Sequence, residues 1–181
     1  MVISVLGLTD KRPVIYCLMK LFQTLGDCAV ITKDRHYNRL IDNGTNMGHY
    51  QNIFIAVSDA GTDEIFNEIG YRQVDFENII MDCTDQLPEY SDIVIYVGGA
   101  GGITEDEQIL LDIQGEYSTI NLGFGPKNIP YNVKMFQCVE EAEGLKHLGA
   151  MDPQIAGRLA TILTEPLAMP VKNIVKVVTS R

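Results

Sequence analysis

Val2-Ile-Ser-Val-Leu6, Gly7-Leu-Thr-Asp-Lys-Arg-Pro13, Val14-Ile-Tyr-Cys-Leu-Met-Lys-Leu-Phe-Gln-Thr-Leu25, Gly26-Asp27 and Cys28-Ala-Val-Ile-Thr32 follow one another at the start of the chain. Their order decides the class of fold. The first and last of these runs are short, uncharged and rich in β-branched residues, the pattern of strands buried on both faces. Between them, apolar residues recur at 14, 15, 18, 21, 22 and 25, which is helix spacing. Pro13 suits the first turn of that helix and Gly26 suits the position just past its end. A buried strand, a helix and a second buried strand make a parallel crossover unit.

The same alternation continues. Strands are expected at Asn52–Val57, Asn78–Cys83, Asp92–Val97, Thr119–Phe124 and Val133–Cys138. Helices are expected at Thr62–Ile69, Thr104–Gln114, Glu140–Leu148 and Pro153–Leu163, the second opened by a Thr104/Glu107 capping box. No repeat, low-complexity tract or linker divides the 181 residues. The expectation is one α/β domain, a three-layer α/β/α sandwich with a mainly parallel sheet. The C-terminal tail, Pro170–Arg181, carries four valines and an isoleucine and reads as an edge strand. Its alternative is a basic amphipathic helix, with Lys172 and Lys176 opposite the valines, that would make peripheral membrane contact.

Composition narrows the functional classes. Hydrophobic residues make up 46% and charged residues 21%, ordinary for a folded domain. The formal net charge of −10 opposes nucleic-acid binding, which needs a basic footprint. No apolar run is long enough to span a bilayer, and charge at Asp10–Arg12 does not fit a secretory signal, so a cytoplasmic protein is expected. Cys17, Cys28, Cys83 and Cys138 are far apart and read as buried thiols. His36, His49 and His147 lack zinc spacing, and no G-x-S-x-G elbow is present. No metal site is expected.

In a sheet of this kind ligands bind beyond the carboxyl ends of the strands. One such end carries Asp34 and another Asp82; they read as a metal-linked or water-positioning pair, or as local caps. Gly98–Gly102 has the glycines to cradle an anion at the start of the next helix, but it reads rather as a flexible or close-packed turn, since Glu105, Asp106 and Glu107 beside it would repel phosphate. The polar segment Asp34–Gln51 holds Arg35, His36, Tyr37 and Arg39. It reads equally as an interaction loop, where Tyr and Arg are favoured, or as a solvated connection.

Three features in order resemble the ParA/MinD group of P-loop ATPases. An N-terminal strand runs into a loop and helix, a second strand ends at Asp34, and Ile79–Val97 reads IIMDCTDQLPEYSDIVIYV. In that stretch Asp82 matches the Walker B carboxylate, Pro88 the loop proline, and Ser91-Asp92 the start of the next strand. The resemblance implies ATP and Mg²⁺ chemistry, homodimers, and roles in partition, positioning, or pilus and secretion assembly. The first loop departs from it. A phosphate loop needs glycines to expose amides, a lysine for the β- and γ-phosphates, and a Ser/Thr hydroxyl for Mg²⁺. Gly7 is the single glycine here, Pro13 removes an amide, and Val14 and Ile15 stand where the hydroxyl belongs. The vestigial nucleotide-binding set is therefore Gly7, Thr9, Lys11, Arg12, Asp34 and Asp82. The expectation is a non-catalytic scaffold or adaptor acting through protein partners, a second copy among them, without a cofactor. The alternatives are a divergent ATPase using Lys11 or Arg12 with Asp34, Asp82 and Mg²⁺, and an unrelated doubly wound domain binding a small molecule.

Overall fold

A computed structural model describes residues 1–41, 45–59, 64, 65, 67, 75–84, 87, 88, 90–99, 103–122 and 148–180. Its elements are β1 (Val2–Leu6), α1 (Arg12–Phe22), β2 (Cys28–Thr32), a 3₁₀ turn (Arg35–Arg39), β3 (Met47–Tyr50), β4 (Ile53–Val57), β5 (Asn78–Cys83), β6 (Ile93–Gly98), α2 (Glu105–Gln114), β7 (Ser118–Asn121), α3 (Pro153–Leu163) and α4 (Val171–Thr179). The strands form one seven-stranded sheet in the order β3-β4-β2-β5-β1-β6-β7. All pairings are parallel except that of β3 with β4.

The sheet is buried on both sides. Along β1, Ile3 and Val5 join the cluster that holds α1, α3 and α4, whereas Val2 and Leu6 join the cluster that holds Leu111 of α2. Successive side chains of a strand point to opposite faces, so the two clusters mark the two faces. This is an α/β protein whose layers fit a three-layer sandwich. In both common doubly wound orders the first two strands are neighbours. Here β5 stands between β1 and β2, which places Asp82 beside the loop that leaves β1.

Two small contacts explain residues that carried the resemblance. The buried Ser4 and Ser91 hydroxyls meet at 2.7 Å. The Val2 amide donates to Asp92 Oδ2 at 2.7 Å, tying the start of β1 to the approach to β6. Asp92 is held below the usual carboxylate range: its partial burial acts the other way but is outweighed by the bonds from Tyr90 and Val2.

Several expectations need correction. The C-terminal tail is a helix, α4, not a strand. Ile174 and Val178, one turn apart, are fully buried in the cluster shared with α1 and α3, and this packing outweighs the β-propensity of the valines. Lys172 and Lys176 stay outside. The connection after β2 contains strand β3, an antiparallel edge the sequence pattern missed. α1 ends at Phe22 rather than Leu25. The expected strand Val133–Cys138 and, but for Leu148, the expected helix Glu140–Leu148 lie outside the described residues, as does Cys138. Of the expected helix Thr62–Ile69, only 64, 65 and 67 are described, all helical, with Ile65 buried. Cys17, Cys28 and Cys83 are buried thiols outside any disulfide, and burial pushes the Cys17 and Cys28 thiols up. No described helix is long and apolar enough to cross a membrane.

Candidate functional site

The carboxyl ends of β1, β2 and β5 bring Gly7, Lys11, Arg12, Asp34 and Asp82 into one cluster. The reason is register: Leu6 of β1 lies beside Cys83 of β5, and β2 flanks β5 on its other side. The loop from Gly7 then turns into α1 directly above these ends. Sequence separation hid this proximity, but each residue had been singled out by its place at a strand end.

Lys11 points back into its own loop. Its Nζ donates to the Gly7 carbonyl at 2.8 Å and lies 3.2 Å from Asp82 Oδ1. Both side chains are largely enclosed, 11% and 7% exposed. Asp82 Oδ2 accepts from the Thr32 hydroxyl at 2.6 Å, and Thr32 Oγ1 in turn accepts from the Asp34 amide at 2.9 Å. Asp82 Oδ1 has an ionic contact with Lys11 but no well-directed hydrogen bond. Burial holds the Asp82 carboxyl above its ordinary range, and Lys11 and Thr32 pull it only part of the way back.

Arg12 is also turned inward. Its guanidinium forms a fork on the Asp10 carboxylate, with Nε at 2.8 Å from Oδ1 and 3.0 Å from Oδ2 and Nη2 closing on Oδ2. Asp34 Oδ2 lies 3.7 Å from Arg12 Nε. Burial opposes the charge of Arg12, but Asp10 outweighs it and the guanidinium stays above its ordinary value. Asp34 itself caps the 3₁₀ turn, accepting from the His36 amide at 2.9 Å and meeting His36 Nδ1 at 2.6 Å. The local-cap reading therefore describes Asp34, whereas Asp82 is not a cap but pairs with Lys11 and Thr32.

The first turn of α1 is the place where a phosphate would meet backbone donors. The Arg12 amide is bonded to Asp10 Oδ1 at 3.1 Å, Pro13 has none, and the Val14 and Ile15 amides are each 3.0 Å from the Lys11 carbonyl. Every donor in that turn is engaged or missing. Gly7 serves packing instead. Its φ is +146°, and a Cβ there would sit 2.4 Å from the Val97 carbonyl oxygen of β6. Thr9 packs against Gly99 of the loop after β6, where a Cβ would fall 2.2 Å from its hydroxyl. These contacts bring the start of the loop close to the end of β6.

The interaction residues divide. Arg35, His36 and Arg39 are exposed, but Tyr37 is wholly buried and is not a surface contact. Its ring meets Tyr16 of α1 edge-on at 5.6 Å, anchoring the turn from beneath. Burial raises its phenol well above the ordinary value, and Asp82 adds to the effect. The turn's alternating exposure gave no sequence signal for this, because a lone tyrosine among polar residues reads as a surface group.

Two features escaped the sequence altogether. Thr32 completes the network, and nothing but strand register reveals it. Lys20, buried in α1, reaches the Gly149 carbonyl at 2.6 Å and the Ser180 carbonyl at the end of α4. Among the described residues no group of three His, Cys, Asp or Glu is placed to hold a metal ion. No protein-family model matches the chain, and no curated protein matches it.

Proposed function

We propose that this chain is a non-catalytic relative of the ParA/MinD ATPases, a scaffold or adaptor that works through protein partners. The observation that supports this reading is the inward fold of Lys11. A lysine that holds the Gly7 carbonyl and Asp82 is not presented to a triphosphate. To bind one, it must leave a buried carboxylate unpaired, which costs several kcal/mol. The first-turn amides would also have to abandon their present partners. The position of Asp82 at a strand end beside β1 supports the relationship, since a carboxylate that serves Mg²⁺ beside a phosphate loop needs that neighbouring strand. The resemblance brings partition, positioning, or pilus and secretion assembly as the processes such an adaptor would join, and a second copy as one partner.

Calorimetric titration of the purified chain with ATP and Mg²⁺ tests the proposal. The expected result is no saturable heat at millimolar nucleotide. Micromolar binding that disappears in Lys11→Ala would establish the divergent ATPase in its place.

A further inference from the structure

Between Arg72 and Lys127 the chain has no Lys, Arg or His and carries eleven Asp and Glu. The remaining residues are nearly balanced in charge, so this interval is the source of the net −10. α2 lies within it. The helix is held to the sheet by Leu111 and the capping residue Glu107, both buried. Thr104 accepts from the Glu107 amide at 3.2 Å, and the Glu107 carboxylate answers from the Thr104 amide at 3.0 Å.

The outward side breaks two ordinary rules. Ile109 is 53% exposed and Ile113 78%, and they stand one helical turn apart. Tyr117 is exposed just beyond the helix end. Around them lie Glu105, Asp106, Asp112 and Glu116, all exposed. Acids in the first turn suit the helix dipole. Asp112 sits in the last turn, where a cation would be favoured and none is present. Asp112 accepts from Gln108 Nε2 at 2.7 Å within the helix, whereas Ile109 and Ile113 belong to neither core cluster of the described residues.

We propose that the outward face of α2 docks a basic amphipathic segment of another protein. Two of its apolar side chains, one turn apart, cover Ile109 and Ile113, and its Lys or Arg residues meet Glu105, Asp106, Asp112 and Glu116. The proposal rests on the adaptor reading and names the chemistry of its partner. Charge complementarity selects this occupant. Two copies of α2 laid together would oppose like charges. The basic helix of this chain, α4, has spent Ile174 and Val178 on its own core. Nucleic acid and anionic lipid are repelled by the acids.

Two labelled synthetic peptides test it with the full chain. Both carry the same leucine pattern at helical spacing, one flanked by Lys and Arg, the other by Glu and Gln. Fluorescence anisotropy should show binding of the basic peptide only, weakened by salt and by about tenfold in Ile113→Asp. Asp112→Lys should weaken it as well, and unchanged urea melting of both variants shows that the fold persists. Equal binding of the two peptides, no binding of either, or indifference to Ile113→Asp overturns the proposal. If light scattering shows that Ile113→Asp turns a dimer into a monomer, the face belongs to a second copy and the proposal also fails. Nucleotide binding by a chain that still takes the basic peptide would remove the adaptor reading and leave the α2 surface standing.

Discussion

The loop from Gly7 to Arg12 and the helix α2 depart from the usual inside–outside arrangement in opposite directions. The loop draws charged groups inward: Lys11 and Asp82 are almost enclosed, and Arg12 and Asp10 are locked to each other. The helix turns Ile109 and Ile113 outward among carboxylates. A buried charge and an exposed apolar side chain are the two observations that packing alone does not supply. In the loop the charged groups of Lys11, Arg12 and Asp10 pair within the chain, Lys11 with Asp82 and Arg12 with Asp10. On α2, Ile109 and Ile113 stay exposed and join neither of the described core clusters, which is why the proposed partner is placed there. The place where the resemblance puts function is the place the chain has filled.

The comparison is broken most severely by removing the loop's internal cation. Lys11→Ala leaves Asp82 buried and uncompensated, and stability in urea should fall by about 3–5 kcal/mol. Lys11→Met combined with Asp82→Leu should restore most of the loss, since an apolar pair of similar volume carries no desolvation penalty. If the single variant is as stable as the parent, the network is not what closes the loop.

Gly7→Ala comes next. It sets a methyl against the Val97 carbonyl in a backbone conformation that disfavours side chains, and about 2–3 kcal/mol should be lost in the same measurement. On the other side of the comparison, Thr104→Ala removes the cap that holds α2 and should cost about 1 kcal/mol. Ile113→Asp should change stability by less than about 0.5 kcal/mol, because the side chain is already in solvent. A large loss there would mean that the isoleucine packs within the domain.

Acid sharpens the contrast. Burial raises the folded-state pKa of Asp82, so the folded chain takes up its proton before the unfolded chain does. This residue's contribution to stability therefore grows as pH falls from its folded value towards the unfolded value of about 3.9. Asp82→Asn should abolish that part of the pH dependence in urea melts followed from neutral pH to about pH 4. The reverse slope would show that Lys11 outweighs burial.

The sequence carried six of the seven described strands, the β7 edge among them, and missed the β3 edge. β1, β2, β5 and β6 are continuous apolar runs because both their faces are covered, and that signal survives without any neighbour in view. β3 is a short edge reading Met47-Gly-His-Tyr50, with no β-branched residue to mark it. α4 was misread for the opposite reason. Its valines and isoleucine favour strands locally, but Ile174 and Val178 meet α1 and α3 at helix spacing, and a tail's partner is invisible from the tail. Within the site, Lys11, Arg12, Asp34 and Asp82 were found because strand ends position ligands. The direction of each side chain was not legible. Whether Lys11 faces a phosphate or its own loop depends on Gly7, Asp10 and Thr32 together, and only the folded backbone combines them.

Crystals grown with millimolar ATP and Mg²⁺ give the most direct test of the closed loop. The account predicts that Lys11 Nζ remains on the Gly7 carbonyl and Asp82, with no phosphate density against residues 7 to 15. Triphosphate density held by that segment, with Lys11 swung out to meet it, would contradict the account.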